Sequence, residues 1–225
     1  MAQNSASAMY VFKQRLKGKT PEQEKVIRYF TGIKKGCFGK LMKDEEYSAM
    51  VVDYLAQNNY FKQKAIAKIG LDESEISLIE PVCIRGYLFD HKNAFVKCGE
   101  DNYWRSSAYQ VSWLFFSETQ VYLYQTIFNM DENGKKESCE EYFYKDIVNF
   151  SSTEESVEKE IWVTPKAGCM NRNPLPKLEI KTVDSVRLSI VVPGDKMYCA
   201  ADVQDDSFET SIKGMRALLR EKKNS

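Results

Sequence analysis

Histidine is nearly missing: the 225 residues hold one, His91, within Asp90-His91-Lys92-Asn93. One imidazole without an assigned nucleophile and orienter does not make a catalytic constellation, and it leaves no nitrogen-rich metal set. The expectation for His91 is an exposed turn residue. The six cysteines, Cys37, Cys83, Cys98, Cys139, Cys169 and Cys199, are scattered and contain no C-x-x-C pair. Structural zinc sites use such paired spacing, so zinc is not expected. A disulfide framework is poorly supported in a chain of this length, and reduced, mostly buried thiols of a cytoplasmic protein are the reading. No stretch approaches the roughly 20 apolar residues a membrane helix needs. The first residues, MAQNSASAMYVFKQRLKGK, lack the apolar core of a secretory leader. There is no G-x-S-x-G, no S-x-x-K set with partners and no EF-hand spacing. No cofactor is expected.

Net charge is also missing. Thirty-two Lys and Arg balance 32 Asp and Glu, so no overall field draws the chain to nucleic acid or an anionic surface. The balance conceals a split. Residues 1–70 carry 13 basic and 6 acidic side chains, and residues 71–225 carry 19 and 26. Docking of the basic part on the acidic part, or pairing between copies, is the most economical account. The acidic run Glu137, Glu140, Glu141, Asp146, Glu154, Glu155, Glu158 and Glu160 reads as a solvated face.

What is abundant is aromatic and β-branched sequence, above all from Trp104 to Phe128. A polar break, Ser117–Gln120, divides it into two long strands of a central antiparallel hairpin. In the first arm Tyr109, Val111, Trp113 and Phe115 share one face, which is the expected core face. Before this hairpin the periodicity is helical. Residues 1–10 are small and polar and read as frayed. Val11–Lys19 reads as a short basic helix. Thr20-Pro21-Glu22-Gln23 is a helix start with a capping box. A loop of three glycines and three lysines, Thr31–Lys40, precedes a helix opening at Asp44, whose apolar positions Tyr47, Met50, Val51, Tyr54 and Leu55 read as one buried stripe. Asn58 or Asn59 breaks it, and a third helix carries Phe61, Ala65, Ile66 and Ile69 to Gly70. After it come strands: one or two in Ile76–Phe89, a short one at Ala94–Cys98, and Asn133-Gly134 as a turn. Ile147–Phe150 precedes a polar stretch, and Ile161–Val163 is a further strand. A loop follows at 164–176. Leu178–Thr182 and Val186–Val192 form a hairpin about Val183-Asp184-Ser185, and Met197–Ala200 is a last strand. The final helix has Asp206 and Glu209 at capping-box spacing and a stripe of Phe208, Ile212, Met215, Leu218 and Leu219. The fold class is α+β, with a basic helical segment at 1–72 and an antiparallel unit at 73–225.

The order of elements from residue 76 to 223 resembles the pleckstrin-homology-like fold, in its bacterial PH and GRAM-type variants. Carrying the resemblance are Trp113–Phe116 with Val121–Tyr124, Tyr144-Lys145-Asp146-Ile147, Leu178–Val192 and Phe208–Leu219. It implies two orthogonal sheets in a partly open barrel, with the last helix plugging one end. The whole chain is also similar to proteins of anaerobic gut bacteria. On this basis the expected function is a non-enzymatic binding or interaction module, with a protein or anionic lipid as partner and self-association open. Two alternatives stand beside it: a nucleic-acid-binding regulator using the basic helices, and an enzyme with a carboxylate or cysteine site outside the familiar motifs. Candidate contact residues are Lys34, Lys35 and Lys40 in the glycine-rich loop, which lacks the spacing of a nucleotide P-loop but can still present backbone N–H groups to an anion. Trp104 and Arg105, types enriched in binding hot spots, are the other candidates.

Overall fold

The computed structural model describes residues 2–36, 39–58, 60–70, 80–165, 176–201 and 206–224. Among the described residues four helices come first: α1 (Ala2–Arg15), α2 (Pro21–Thr31), α3 (Asp44–Gln57) and α4 (Tyr60–Ile69). The strands are β1 (Val82–Tyr87), β2 (Val96–Cys98), β3 (Trp104–Ser106), β4 (Ala108–Phe116), β5 (Gln120–Asn129), β6 (Lys135–Phe143), β7 (Asn149–Val163), β8 (Lys177–Val192) and β9 (Asp195–Ala201). A helix, α5 (Asp206–Asn224), ends the chain. Among the described residues all pairing is antiparallel, in a four-stranded sheet of order β1-β4-β5-β6, a three-stranded sheet β7-β8-β9 and a small ribbon β2-β3. The mixed α+β class and the closing helix are therefore as read.

The β4–β5 hairpin lies at the centre, with Leu114 opposite Leu123 and Phe115 opposite Tyr122. Its two faces are both covered: the expected core face of the first arm is a core face, and the opposite face is covered as well. On one side Tyr109, Val111 and Phe128 join Val26, Phe30 and Tyr47 of α2 and α3, while Phe115, Tyr122 and Tyr124 pack with Ala65 of α4. On the other side Leu114, Phe116, Val121 and Leu123 meet Leu188 and Ile190 of β8 and Ile212, Met215 and Leu219 of α5. The sheet needs apolar residues at successive positions because it is sandwiched between a helical layer and a second sheet. Polar positions on the second face are bonded rather than solvated. Gln110 Oε1 accepts the Ala200 N–H at 2.6 Å, and Gln125 Nε2 donates to the Tyr198 carbonyl at 2.8 Å. The two sheets come close where Gly86 of β1 meets β9: a Cβ at this glycine would lie 2.6 Å from the backbone of Ala201.

Four local expectations are corrected. Residues 2–10 are not frayed; they belong to α1, whose Ala8 and Phe12 are 1% and 5% exposed within the main core. The hairpin about Val183-Asp184-Ser185 is absent, and β8 runs unbroken through it. Val183 is wholly buried opposite Val157, and Ser156 Oγ donates to Asp184 at 2.6 Å. The triplet has no glycine to reverse the chain, and a core position holds it extended. Likewise the polar stretch after Phe150 is the middle of β7, whose exposure alternates as a ribbon with one wet face requires. Glu137 is not on a solvated face: its side chain is 12% exposed and pairs with Lys64, Lys68 and Lys135 at 2.6, 2.7 and 3.2 Å. Asn59, residues 76–79 and most of the 164–176 loop lie outside the described residues, as do the side chains of Asp206, Phe208 and Glu209.

The helical segment and the sheets share one hydrophobic cluster, with Phe12, Ile27 and Val51 beside Phe95, Trp162 and Val183. Ion pairs reinforce it. Arg15 reaches Asp131 at 3.2 Å, and Lys19 reaches the same carboxylate at 3.7 Å. With Lys64 and Lys68 on Glu137, part of the N-terminal positive charge is neutralised within the chain.

Candidate functional site

An open cleft lies where α2 and α3 meet the β5–β6 turn. Its volume is about 900 Å³, in the upper part of the range of ligand pockets. One face of α3 forms a wall, because Glu46, Ala49, Met50, Asp53, Tyr54 and Gln57 recur at helical spacing. Opposite stand Phe128, Asn129 and Met130 at the end of β5, and Glu132 and Asn133 in the turn. Glu22, in the first turn of α2, completes the rim.

Local structure places each group. Thr20 caps α2: its Oγ accepts the Gln23 N–H at 3.2 Å, and Gln23 Oε1 accepts the Thr20 N–H at 3.0 Å. Gln23 Nε2 then donates to Asn133 Oδ1 at 2.8 Å and ties the helix start to the turn. Gly134 closes the turn with φ at 98°, the left-handed side that glycine alone enters without cost. Behind the turn, Asp131 is fully buried. Burial pushes its carboxyl up from the ordinary value, and Arg15 and Lys19 oppose that shift. Lys19 also donates to the Asp131 carbonyl. The Tyr54 and Phe128 rings, 4.4 Å apart, make the apolar floor with Met50 and Met130.

The rim is acidic. Glu22, Glu46, Asp53 and Glu132 surround the floor, with Lys135 as the single cation among the described residues of the lining. Glu46 accepts the Lys43 N–H at 2.9 Å and Glu132 lies 3.7 Å from Arg15. Glu22 and Asp53 are exposed and make no ion pair among the described residues. Asn129 is 6% exposed. Its Oδ1 accepts the Asp131 N–H at 3.3 Å, which identifies the other terminal atom as the amide nitrogen. That Nδ2 has no hydrogen-bond partner among the described residues.

The residues singled out from sequence lie elsewhere. Lys34, Lys35 and Lys40 are exposed on the α2–α3 loop, and Lys35 lies 3.6 Å from Glu24. Arg105 is 4% exposed. Its guanidinium donates to Asp101 at 2.7 and 2.9 Å, to Ser48 at 2.9 Å and to the Tyr103 carbonyl at 3.2 Å. Trp104 is half-buried and lines a cavity of about 260 Å³ between the β2–β3 ribbon and β8. No hydrogen bond or ion pair among the described residues joins the three lysines to Trp104 or Arg105. His91 is corrected from an exposed turn residue to a half-buried one whose Nδ1 is shielded and unpartnered among the described residues. It borders a cavity of about 320 Å³ with Arg187 and Tyr198. Arg187 is already paired with Asp90 at 2.9 Å and Glu155 at 3.5 Å. Among the described residues no three His, Cys, Asp or Glu side chains are grouped to hold a metal ion.

Sequence reasoning missed the cleft. It assigned Met50 and Tyr54 to one buried stripe of α3, whereas both are half-buried and border open space. The signal was present: Glu46 and Asp53 lie on the same helical face as Met50 and Tyr54, and a wholly buried stripe does not carry two acids. Compared with known proteins, the chain matches no family model, no curated protein and no solved structure. No described helix is long and apolar enough to cross a membrane.

Proposed function

We propose that the chain is a non-enzymatic binding or interaction module of pleckstrin-homology-like architecture, engaging its ligand through the cleft between α2, α3 and the β5–β6 turn. A four-stranded and a three-stranded antiparallel sheet with a shared core, approaching at Gly86 and Ala201 and covered by α5, support the architecture of a partly open barrel. The observation that carries the functional reading is the cleft itself: an open groove of about 900 Å³ with a methionine and aromatic floor and a charged rim. Such a surface provides area and polarity for recognition.

Ala49 is exposed on the cleft wall, so Ala49→Arg fills the groove with a good helix former and leaves the core untouched. The immobilised full-length chain and this variant are to be compared for quantitative capture from a lysate and for flotation with vesicles. The expected result is a captured component that A49R loses while its thermal unfolding is unchanged. Equal capture by both proteins would overturn the assignment of the cleft.

A further inference from the structure

Resting on that reading of the cleft, we infer that its occupant is a basic segment of another protein, in which Lys or Arg side chains alternate with apolar ones. Three independent features of the groove each call for a different part of such a segment. The rim calls for cations: Glu22 and Asp53 are exposed carboxylates with no ion pair among the described residues, and Glu46 and Glu132 add to the same field. The floor calls for apolar side chains, since Met50, Tyr54, Phe128 and Met130 present methionine and ring surface to open space. The third feature is Asn129. Its amide nitrogen is a shielded donor without an acceptor among the described residues, on a side chain that is 6% exposed and belongs to the groove lining. A buried donor left unmade is costly, and a turn of the amide about its soft terminal torsion would bring it to a carbonyl supplied from the groove, in exchange for the long 3.3 Å bond its Oδ1 accepts from the Asp131 N–H. A peptide backbone carries a carbonyl at every residue.

No simpler ligand meets all three. An anionic headgroup, phosphate or nucleic acid would face the acidic rim. A polyamine would pair with the carboxylates but leave the floor wet and the Asn129 donor unmet. An uncharged apolar molecule would leave Glu22 and Asp53 without a counter-charge and desolvate them. The positive charge of the N-terminal segment does not fill the groove from within. Arg15 and Lys19 approach the turn from behind, on Asp131.

The probe is a fluorescein-labelled peptide of alternating Leu and Lys, titrated by anisotropy against the full chain. The comparisons are a Leu-Glu peptide of equal length, spermine, and phosphatidylserine vesicles. Asp53→Asn with Glu22→Gln removes two exposed charges and leaves the shape of the groove intact. The Leu-Lys peptide is expected to bind saturably, to weaken about tenfold with the double substitution, to weaken further with salt, and to be lost with A49R. Equal or tighter binding of the Leu-Glu peptide, indifference to the double substitution, or cleft-dependent binding of vesicles would overturn the inference. So would displacement of the peptide by spermine at equal concentration, which marks a bare counter-ion cluster. A dimer in sedimentation that A49R dissociates would transfer the groove to a second copy and equally overturn it. If the Leu-Lys peptide does not bind while A49R still abolishes lysate capture, the basic-segment inference fails and the module reading stands. If A49R changes neither, the module reading itself fails.

Discussion

Glu137 shows how single residues join the basic helices to the acidic strands. It sits on β6, 12% exposed, with the ammonium groups of Lys64, Lys68 and Lys135 within 3.2 Å. Burial by itself would push its carboxyl up. The three lysines outweigh burial and hold it at about 2, against an ordinary 4.5. A depressed carboxylate contributes stability that is complete above its unfolded value and disappears as pH falls through the folded one. Glu137→Gln is therefore expected to lose about 1–2 kcal/mol at neutral pH, the range for charge-assisted bonds that are partly wet. The deficit should shrink below about pH 4.5 and vanish near pH 2, as followed by chemical unfolding across pH. A deficit that is constant with pH would mean that packing, not the ion cluster, holds α4 to β6. At the same scale Arg105 makes the opposite lesson. Its residue type suggests a contact surface, but five donors in a rigid fork also suit it to internal bracing, and Asp101, Ser48 and Tyr103 take that role.

At the scale of elements, α2 is the hinge between core and cleft. Its buried face carries Val26, Ile27 and Phe30, while its capped first turn brings Glu22 to the rim and Gln23 to Asn133. Removing the cap with Thr20→Ala is expected to cost about 1 kcal/mol, the usual loss for a Thr N-cap. Amide exchange should accelerate in the first turn of α2 and in residues 132–134, because Gln23, which holds Asn133, loses one of its three hydrogen bonds. Exchange accelerated only in α2 would show that the turn does not depend on the helix start. The capping box was legible in Thr20-Pro21-Glu22-Gln23 because such caps are local in sequence. The continuity of β7 and β8 was not legible. Glu154, Glu158 and Asp184 look like breaks, yet in the β7–β8 pair they fall on an outer face that water reaches, and pairing with the neighbour keeps the backbone extended.

Across the whole molecule, the decisive contact is between sheets. Gly86 lets β1 approach β9 so closely that a methyl group would lie 2.6 Å from the Ala201 backbone. Gly86→Ala is expected to cost about 1–3 kcal/mol as the sheets part. Gly214→Ala, on α5 with nothing within 4 Å of the added carbon, should instead stabilise by up to about 1 kcal/mol through helix propensity. Thermal unfolding of both variants tests the pair, and equal effects would mean that the approach of the sheets is not tight. The same layering explains the basic N-terminal segment. Its helices cover one face of the central sheet, so their lysines and arginines meet Asp131 and Glu137 and are partly consumed in holding the molecule together.

By itself the sequence determined what short-range physics determines: the capped helices, the central hairpin with its alternating faces, the Asn133-Gly134 turn and the closing helix. It also determined that the two parts of the chain carry opposite charge. Only the tertiary structure decided which apolar stripes are fully covered. Met50 and Tyr54 repeat with the period of Tyr47 and Val51, but the β5–β6 turn stops short of them and leaves a groove. Periodicity reports which way a side chain faces, and whether anything lies opposite depends on where distant elements end.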